Sequence, residues 1–319
     1  MIYIYQFQLI TYLFNLNKQV IRYIITLILR RSYKLNMINI NCNYNIAEDI
    51  RFLMESEDIN NTEFANRTKI SRTTLIEILK NSKARNEVYE KIYSYAYDRN
   101  YRINTVKEEL IKEKYQTVLF HGSKDGLSTI TVNGSRDNCD FGNGFYMGER
   151  YRQALSFVCE KNNSSVYSFR YSLDGLKVKK FDCNLEWMLA ICYYRGSIKE
   201  FENNETIKRI IADVENADVV IAPIADNKMF YIMAQFTDGD INADVALHSL
   251  SASNLGLQYI FKTDKAIDNL VPIEKYYISK PEREDCRRTL IERGYEIDTK
   301  LKLAKREYRT GLYIEEILK

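Results

Sequence analysis

Three short strings carry the side chains that could do chemistry: Leu119-Phe120-His121-Gly122-Ser123, Asp140-Phe141-Gly142-Asn143-Gly144-Phe145-Tyr146, and Gln258-Tyr259-Ile260-Phe261. The first ends on an imidazole, a residue without a side chain and a hydroxyl, a set that can hydrogen-bond a polar ligand while the backbone comes close to it. In the second, Gly142 and Gly144 stand two apart, which permits φ > 0 or close approach just before two aromatic rings. Tyr146 and Phe157, eleven positions apart, offer flat faces on which a ring can stack. The glycine-rich loop is not a phosphate-binding P-loop, because no Lys-Ser/Thr follows it. Each string also has a plainer reading. His121 would then be a satisfied polar residue at a strand end, Tyr146 and Phe157 core aromatics, and Gln258 an ordinary strand residue.

In this order and at this spacing, the strings resemble the NAD-binding half of the ADP-ribosyltransferase superfamily, in its diphtheria-toxin and poly(ADP-ribose) polymerase branch. That branch carries His-Gly at the end of its first core strand, then a glycine-flanked Tyr with a second aromatic further on, then a Glu opening a later strand. Here Phe157 stands for the second Tyr and Gln258 for the Glu. The Asp-Phe-Gly-x-Gly-Phe-Tyr string is more specifically similar to a bacterial branch of the superfamily. The resemblance runs from roughly Tyr115 to Leu270. It implies an α+β domain with a split β-sheet, NAD as substrate and no metal. By the same resemblance His121, Tyr146 and Gln258 form the catalytic set. The Gly122 backbone and the Ser123 hydroxyl would hold the nicotinamide carboxamide, and His121 would bond an adenosine ribose hydroxyl. Gly144 would let the backbone approach the cofactor closely, Tyr146 and Phe157 would sandwich the nicotinamide ring, and Gln258 would lie near the nicotinamide ribose. A carboxylate there would stabilise growing positive charge by several kcal/mol in a dry site. A neutral amide can position a hydroxyl but cannot act as a base. That exchange favours transfer of a single ADP-ribose over chain elongation, or else a scaffold that binds NAD without turnover.

The elements that must hold these residues follow from periodicity. Thr117-Val118-Leu119-Phe120 is β-branched and apolar and stops at a glycine, which predicts a buried strand. Apolar residues at helical spacing predict a helix over Arg150 to Lys161. Ser165 to Tyr171 alternates, with Val166, Ser168 and Arg170 on one face and Tyr167, Phe169 and Tyr171 on the other. Leu176 to Phe181 alternates as well. Asn184 to Tyr194 and Ile207 to Asn216 read as helices, and Ala217 to Ile224 reads as a buried strand. Helices are expected over Lys228 to Thr237 and Ala243 to Leu250, and the Gln-Tyr-Ile strand over Leu257 to Lys262. Asp226 could line a pocket, His248 reads as a helix-surface residue, and Pro281 to Lys319 as a hairpin of charged helices.

Ahead of this domain, Tyr44 to Arg99 reads as helices. Thr62 to Leu79 resembles the helix-turn-helix of bacterial and phage regulators, with Phe64 and Ala65 packing the first helix and Ile70 in the turn. Ser71 would cap the second helix, which Leu75, Ile78 and Leu79 bury. Arg72, Thr73 and Thr74 would then face a major groove. Residues 62–114 carry twelve Lys or Arg against eight Asp or Glu, a modest excess. The alternative is a small helical bundle that contacts another domain or another protein. Tyr89, Tyr93 and Tyr97 recur every four residues, a packing stripe rather than a base-stacking platform.

Residues 1–36 are apolar at first and then interrupted by Lys18 and Arg22, too short an apolar run for a membrane span. They fit a membrane-surface helix, a packed helix, or a translated stretch ahead of a start at Met37. The domain layout expected is therefore 1–36, an all-α helix-turn-helix domain over 37–112, a catalytic domain over 113–274, and a helical extension over 275–319. A net charge of +3 on 319 residues neither demands nor excludes nucleic acid. Six cysteines without a C-x-x-C pair, and only two histidines, argue against a metal centre and fit free thiols in a reducing cytoplasm. The function expected is mono-ADP-ribosylation of a macromolecular acceptor, as in toxin–antitoxin or phage-defence systems. NAD, that acceptor, an antitoxin or other partner protein, and DNA through residues 62–80 are the partners implied. The alternative is a DNA-binding regulator whose second domain senses NAD or a related nucleotide, and a third reading is an inactive interaction module.

Overall fold

A computed structural model describes residues 44–135, 138–251 and 256–319. The readings for residues 1–36 lie outside it. The chain is α+β and forms two compact units. The first takes the chain up to Gln116 together with Ile273–Arg283, and the second takes Thr117–Pro272 and Glu284–Lys319. The sequence boundary near 112 is close to the first crossing, but the return of Ile273–Arg283 to the helical unit had no sequence signal.

The first unit holds helices α1 (Ile46–Glu57), α2 (Asn61–Thr68), α3 (Arg72–Asn81), α4 (Asn86–Asp98) and α5 (Ile103–Lys114). Their ends follow from side-chain chemistry. Asn60 accepts hydrogen bonds from the N–H groups of Thr62 and Glu63 at the start of α2. The Ser71 hydroxyl accepts from the Thr74 N–H at the start of α3. Lys69, in the left-handed region at φ 56°, turns the chain between them. The core gathers Ile50, Leu53, Phe64, Leu75, Ile78 and Ile92. Tyr89 and Tyr93 belong to it too, with the Tyr277 ring stacked 5.4 Å from Tyr89. Tyr89 and Tyr93 of the tyrosine stripe are therefore packing, while the half-buried Tyr97 ring lies under the Arg102 guanidinium. Beneath the stripe lies a charge cluster that the sequence did not announce. Lys107 Nζ donates to Asp49 at 2.9 Å and forms an ion pair with Glu274 at 2.6 Å, and the Tyr93 hydroxyl donates to Asp49.

The strands are β1 (Val118–Ser123), β2 (Phe145–Gly148), β3 (Ser165–Tyr171), β4 (Val178–Lys180), β5 (Val219–Pro223), β6 (Leu257–Phe261) and β7 (Leu270–Tyr277), of which the second unit takes β1 to β6 and the start of β7 as far as Pro272. They form one mixed sheet in the order β4-β5-β6-β2-β1-β3-β7. Only β4 and β5, joined through helices, are shown running parallel. The helices are α6 (Tyr151–Ser156), α7 (Leu185–Arg195), α8 (Glu205–Glu215), α9 (Asn227–Thr237), α10 (Ala243–Ser251), α11 (Asp264–Ile267), α12 (Lys280–Glu307) and α13 (Ile314–Leu318). The helix expected over Arg150 to Lys161 is shorter, because turns replace it after Ser156.

Alternation sorts the sheet into two faces. Ile260, Val220 and Ala222 pack with Trp187, Met188, Ile191, Ile210 and Phe236 in the larger core, which also receives Ile297 and Leu301 of α12 and Ile314 of α13. Phe145, Met147, Tyr259, Phe261, Val219 and Ile221 pack on the opposite face with Leu119, Tyr167 and Phe169. None of the described helices is long and apolar enough to cross a membrane.

Candidate active site

The sheet has a seam. β1 shares six register pairs with β3 and β2 shares four with β6, but β1 and β2 meet in register only at Phe120 and Gly148. Beyond that pair the two halves part, and the His121 side chain takes up the backbone bonding that a ladder would have made. Its Nδ1 lies 2.8 Å from the Tyr146 carbonyl oxygen, and its ring stacks on Phe145 at 4.3 Å. A carbonyl only accepts, so Nδ1 carries the hydrogen and Nε2 is left as an acceptor. Burial pushes the imidazole down to about 4, so at neutral pH the ring is uncharged.

Gly122 follows on β1. A Cβ at this position would fall 2.4 Å from the Ala154 carbonyl oxygen of α6, so the glycine lets the helix lie directly on the strand. The Ser123 hydroxyl donates to the Gly126 carbonyl at 2.5 Å. Its lone pairs remain free to accept, which suits an amide N–H₂ but not an amide oxygen.

The Asp140–Gly144 loop is tied down from several directions. The Tyr146 hydroxyl donates to the Gly142 carbonyl at 2.7 Å and accepts from the Phe141 N–H at 3.1 Å. Lys262 Nζ bonds the Phe141 carbonyl at 2.8 Å. Burial holds that ammonium below its usual range, against the opposing pull of Glu215. Gly142, at φ 72°, supplies the left-handed turn. Gly144 supplies a close approach, since a Cβ there would sit 2.5 Å from Ile260. Burial also holds the Tyr146 phenol well above its ordinary range, so it stays a neutral donor.

Gln258, the second residue of β6, stands opposite Gly148, on the same face as Tyr146. The residue is buried, 5 % exposed. Its Nε2 donates to Asp140 Oδ2 at 3.0 Å and to the Pro223 carbonyl at 3.1 Å. Asp140 Oδ1 in turn accepts from Arg195 Nε at 2.9 Å, and the Arg195 guanidinium lies 3.2 Å over the Phe230 ring. Burial raises the Asp140 carboxyl above its ordinary range, while Arg195 and Gln258 pull it back. The Pro223 carbonyl also accepts from the Trp187 indole at 3.1 Å.

The structure thus brings His121, Gly122, Ser123, Tyr146 and Gln258 onto the adjoining strands β1, β2 and β6, with Gly144 in the loop just ahead of β2. It places them on both faces: His121 with Phe145, and Tyr146 with Gln258. Phe157, which caps the C-terminus of α6, is 58 % exposed. Among the described residues it makes no ring contact with Tyr146, so any ring held between them would have to bridge that space itself. The Asp226 carboxylate accepts from the N–H groups of Lys228 and Met229 and caps α9. His248 is exposed and stacks on Tyr308 at 3.7 Å. Arg195, Lys262 and the role of Asp140 escaped the sequence reading. Arg195 lies in an unrelated helix, and only the position of Asp140 at the head of the glycine string marked it. Among the described residues no group of His, Cys, Asp and Glu is arranged to hold a metal.

In the first unit, Arg72 and Thr73 are exposed at the start of α3. Thr74 is half-buried, with its hydroxyl 2.7 Å from that of Ser71. No curated protein and no solved structure matches the chain. Residues 117–271, a little under half of the chain and the stretch that contains the seam and every candidate residue around it, match the model of a family described as "Protein of unknown function (DUF3990)".

Proposed function

We propose that the second unit is an NAD-dependent mono-ADP-ribosyltransferase acting on a macromolecular acceptor. In the reaction the C1′–N bond to the pyridinium breaks and nicotinamide leaves with the bonding pair. A nucleophile of the acceptor bonds to C1′ and gives up its proton. The carrying observation is the seam. Where β1 and β2 part, a neutral imidazole presents Nε2 as an acceptor for a sugar hydroxyl, beside a glycine backbone and a hydroxyl suited to a carboxamide. Tyr146, which meets the imidazole through its carbonyl and sends its ring to the other face, is held by a loop bound at five points. Gln258 has no negative charge to offer and no basic function, which suits a reaction in which the acceptor supplies its own nucleophile.

Incubation with labelled NAD and a cell lysate is expected to label one or a few macromolecules, and mass spectrometry of them identifies the acceptor. His121→Ala and Tyr146→Ala are expected to abolish labelling. Labelling that persists in both variants places the site elsewhere. NAD binding by calorimetry without nicotinamide release would instead support a sensor.

One observation favours a second activity in the first unit. Ser71 caps α3 so that Arg72 and Thr73 stand exposed at its N-terminus, the end of a recognition helix that meets base edges. Retention of a DNA fragment by the full chain, falling steeply with salt and weakened by Arg72→Ala, would establish it.

A further inference from the structure

Gln258 donates both of its bonds from one nitrogen, and both partners, the Asp140 carboxylate and the Pro223 carbonyl, can only accept. The orientation of the amide is therefore fixed by chemistry: Nε2 turns toward Asp140 and Oε1 turns away from it. Asp140 is itself fixed. It is 7 % exposed, and its second oxygen is taken by Arg195. Gln258 has only Gly148 and Ala222 as cross-strand neighbours, so no large side chain on either flanking strand competes for its oxygen.

We propose that Asp140 is a positioning residue for the transfer reaction: its carboxylate, anchored by Arg195, holds and polarises the Gln258 amide so that Oε1 serves as acceptor for a nicotinamide-ribose hydroxyl. This rests on the ADP-ribosyltransferase reading of the seam. The charge that a glutamate at position 258 would carry is displaced by one hydrogen bond, from β6 to the head of the glycine loop. A hydrogen bond to a carboxylate makes the amide N–H more positive and its carbonyl oxygen a stronger acceptor. The amide cannot take up a proton in its place, so the group is an orienting acceptor and not a base.

The satisfiability of the network supplies the test. Asp140→Asn is nearly isosteric, but it offers one oxygen to two donors, Arg195 and Gln258, so one of them loses its partner or the Gln258 amide flips. A double variant combines Asp140→Asn with Gln258→Glu. In it the new amide on the loop accepts from Arg195 and donates to the new carboxylate on β6, so the two bonds through position 140 are restored with the charge moved to position 258, while the Pro223 carbonyl loses its donor at 258 and keeps that of the Trp187 indole. The measurement is nicotinamide release from NAD by the full chain, with kcat and KM determined separately. A second series uses an NAD analogue whose nicotinamide ribose lacks its 2′-hydroxyl. Asp140→Asn is expected to lower kcat by about 100-fold with KM changed by less than about threefold, since the interaction is made mainly in the transition state. The double variant is expected to recover at least about tenfold of that loss. On the analogue, wild type is expected to fall toward the variant's rate, and Asp140→Asn to lose little more. An unchanged kcat in Asp140→Asn, or equal losses on both substrates, overturns the inference while leaving the enzyme reading intact. No nicotinamide release by wild type overturns the reading itself. Should Asp140→Asn fail to fold, the double variant carries the test alone: kcat within about tenfold of wild type supports the inference, and loss of turnover in a folded double variant overturns it.

Discussion

At the scale of single residues, His121 does two things at once. Its Nδ1–H closes the seam against the Tyr146 carbonyl, and its pKa is lowered by burial to about 4. The folded value lies below the value of about 6.5 expected of an unfolded histidine, so the unfolded chain binds the proton more readily. This histidine therefore costs no stability above about pH 6.5, and destabilises the fold progressively as pH falls from there toward the folded value. The melting temperature is expected to decline from pH 7.5 to pH 5.5, and to decline less in His121→Gln; equal slopes would mean that the imidazole titrates normally in the fold. Tyr146→Phe isolates a different contribution. It removes the donor to Gly142 and the acceptor for Phe141, and is expected to cost about 1–2 kcal/mol in denaturant unfolding. The types and order of these residues were legible in the sequence, because a glycine beside a polar or aromatic residue at a strand end is a local pattern. Their partners were not. The bond from Gln258 to Asp140 joins residues 118 positions apart, and nothing local in either string encodes it.

At the scale of elements, strand periodicity gave β3 at its observed limits, Ser165–Tyr171, and the capped starts of α2 and α3 lie where Asn60 and Ser71 put them. Helix α6 is the element that differs most from expectation. Apolar spacing extends through Val158, yet the regular helix ends at Ser156 and the chain continues in turns to Glu160. What fixes α6 is not its own periodicity but its seat on Gly122, where the strand has no side chain. Gly122→Ala should force the helix and strand apart, since a backbone carbonyl 2.4 Å from the new methyl cannot rotate away. A loss of about 1–3 kcal/mol is expected, together with a rise in the KM for NAD. A variant with wild-type stability and KM would show that the helix tolerates the shift without consequence for the site. Pairing between β1 and β2 was equally beyond periodicity, which assigns strands but not the point at which two of them part.

At the scale of the whole molecule, the charge cluster of the first unit is the feature with the largest stability at stake. Burial alone would push the Lys107 ammonium down, but Asp49 and Glu274 more than offset it and its pKa is raised. Lys107→Ala would leave two buried carboxylates uncompensated and is expected to cost about 3–5 kcal/mol; a loss below about 1 kcal/mol would mean that water replaces the ammonium. Glu274 lies far downstream of its partners in the sequence, which is why no helical pattern revealed the cluster. A fragment ending at Lys114 lacks both Glu274 and the Tyr277 ring. Its melting temperature is expected to rise when a peptide of Ile273–Arg283 is added, and indifference to that peptide would show the helices to be self-sufficient. The chain passes from one unit to the other three times, after Gln116, after Pro272 and after Arg283. On the ribosome, then, the amino-terminal helices emerge long before the eleven residues that complete them, and the whole β-rich stretch must be synthesised in between. The nascent chain cannot finish its first unit until the Thr117–Pro272 part of its second has left the exit tunnel, so a translation product truncated before Arg283 would carry neither unit in final form.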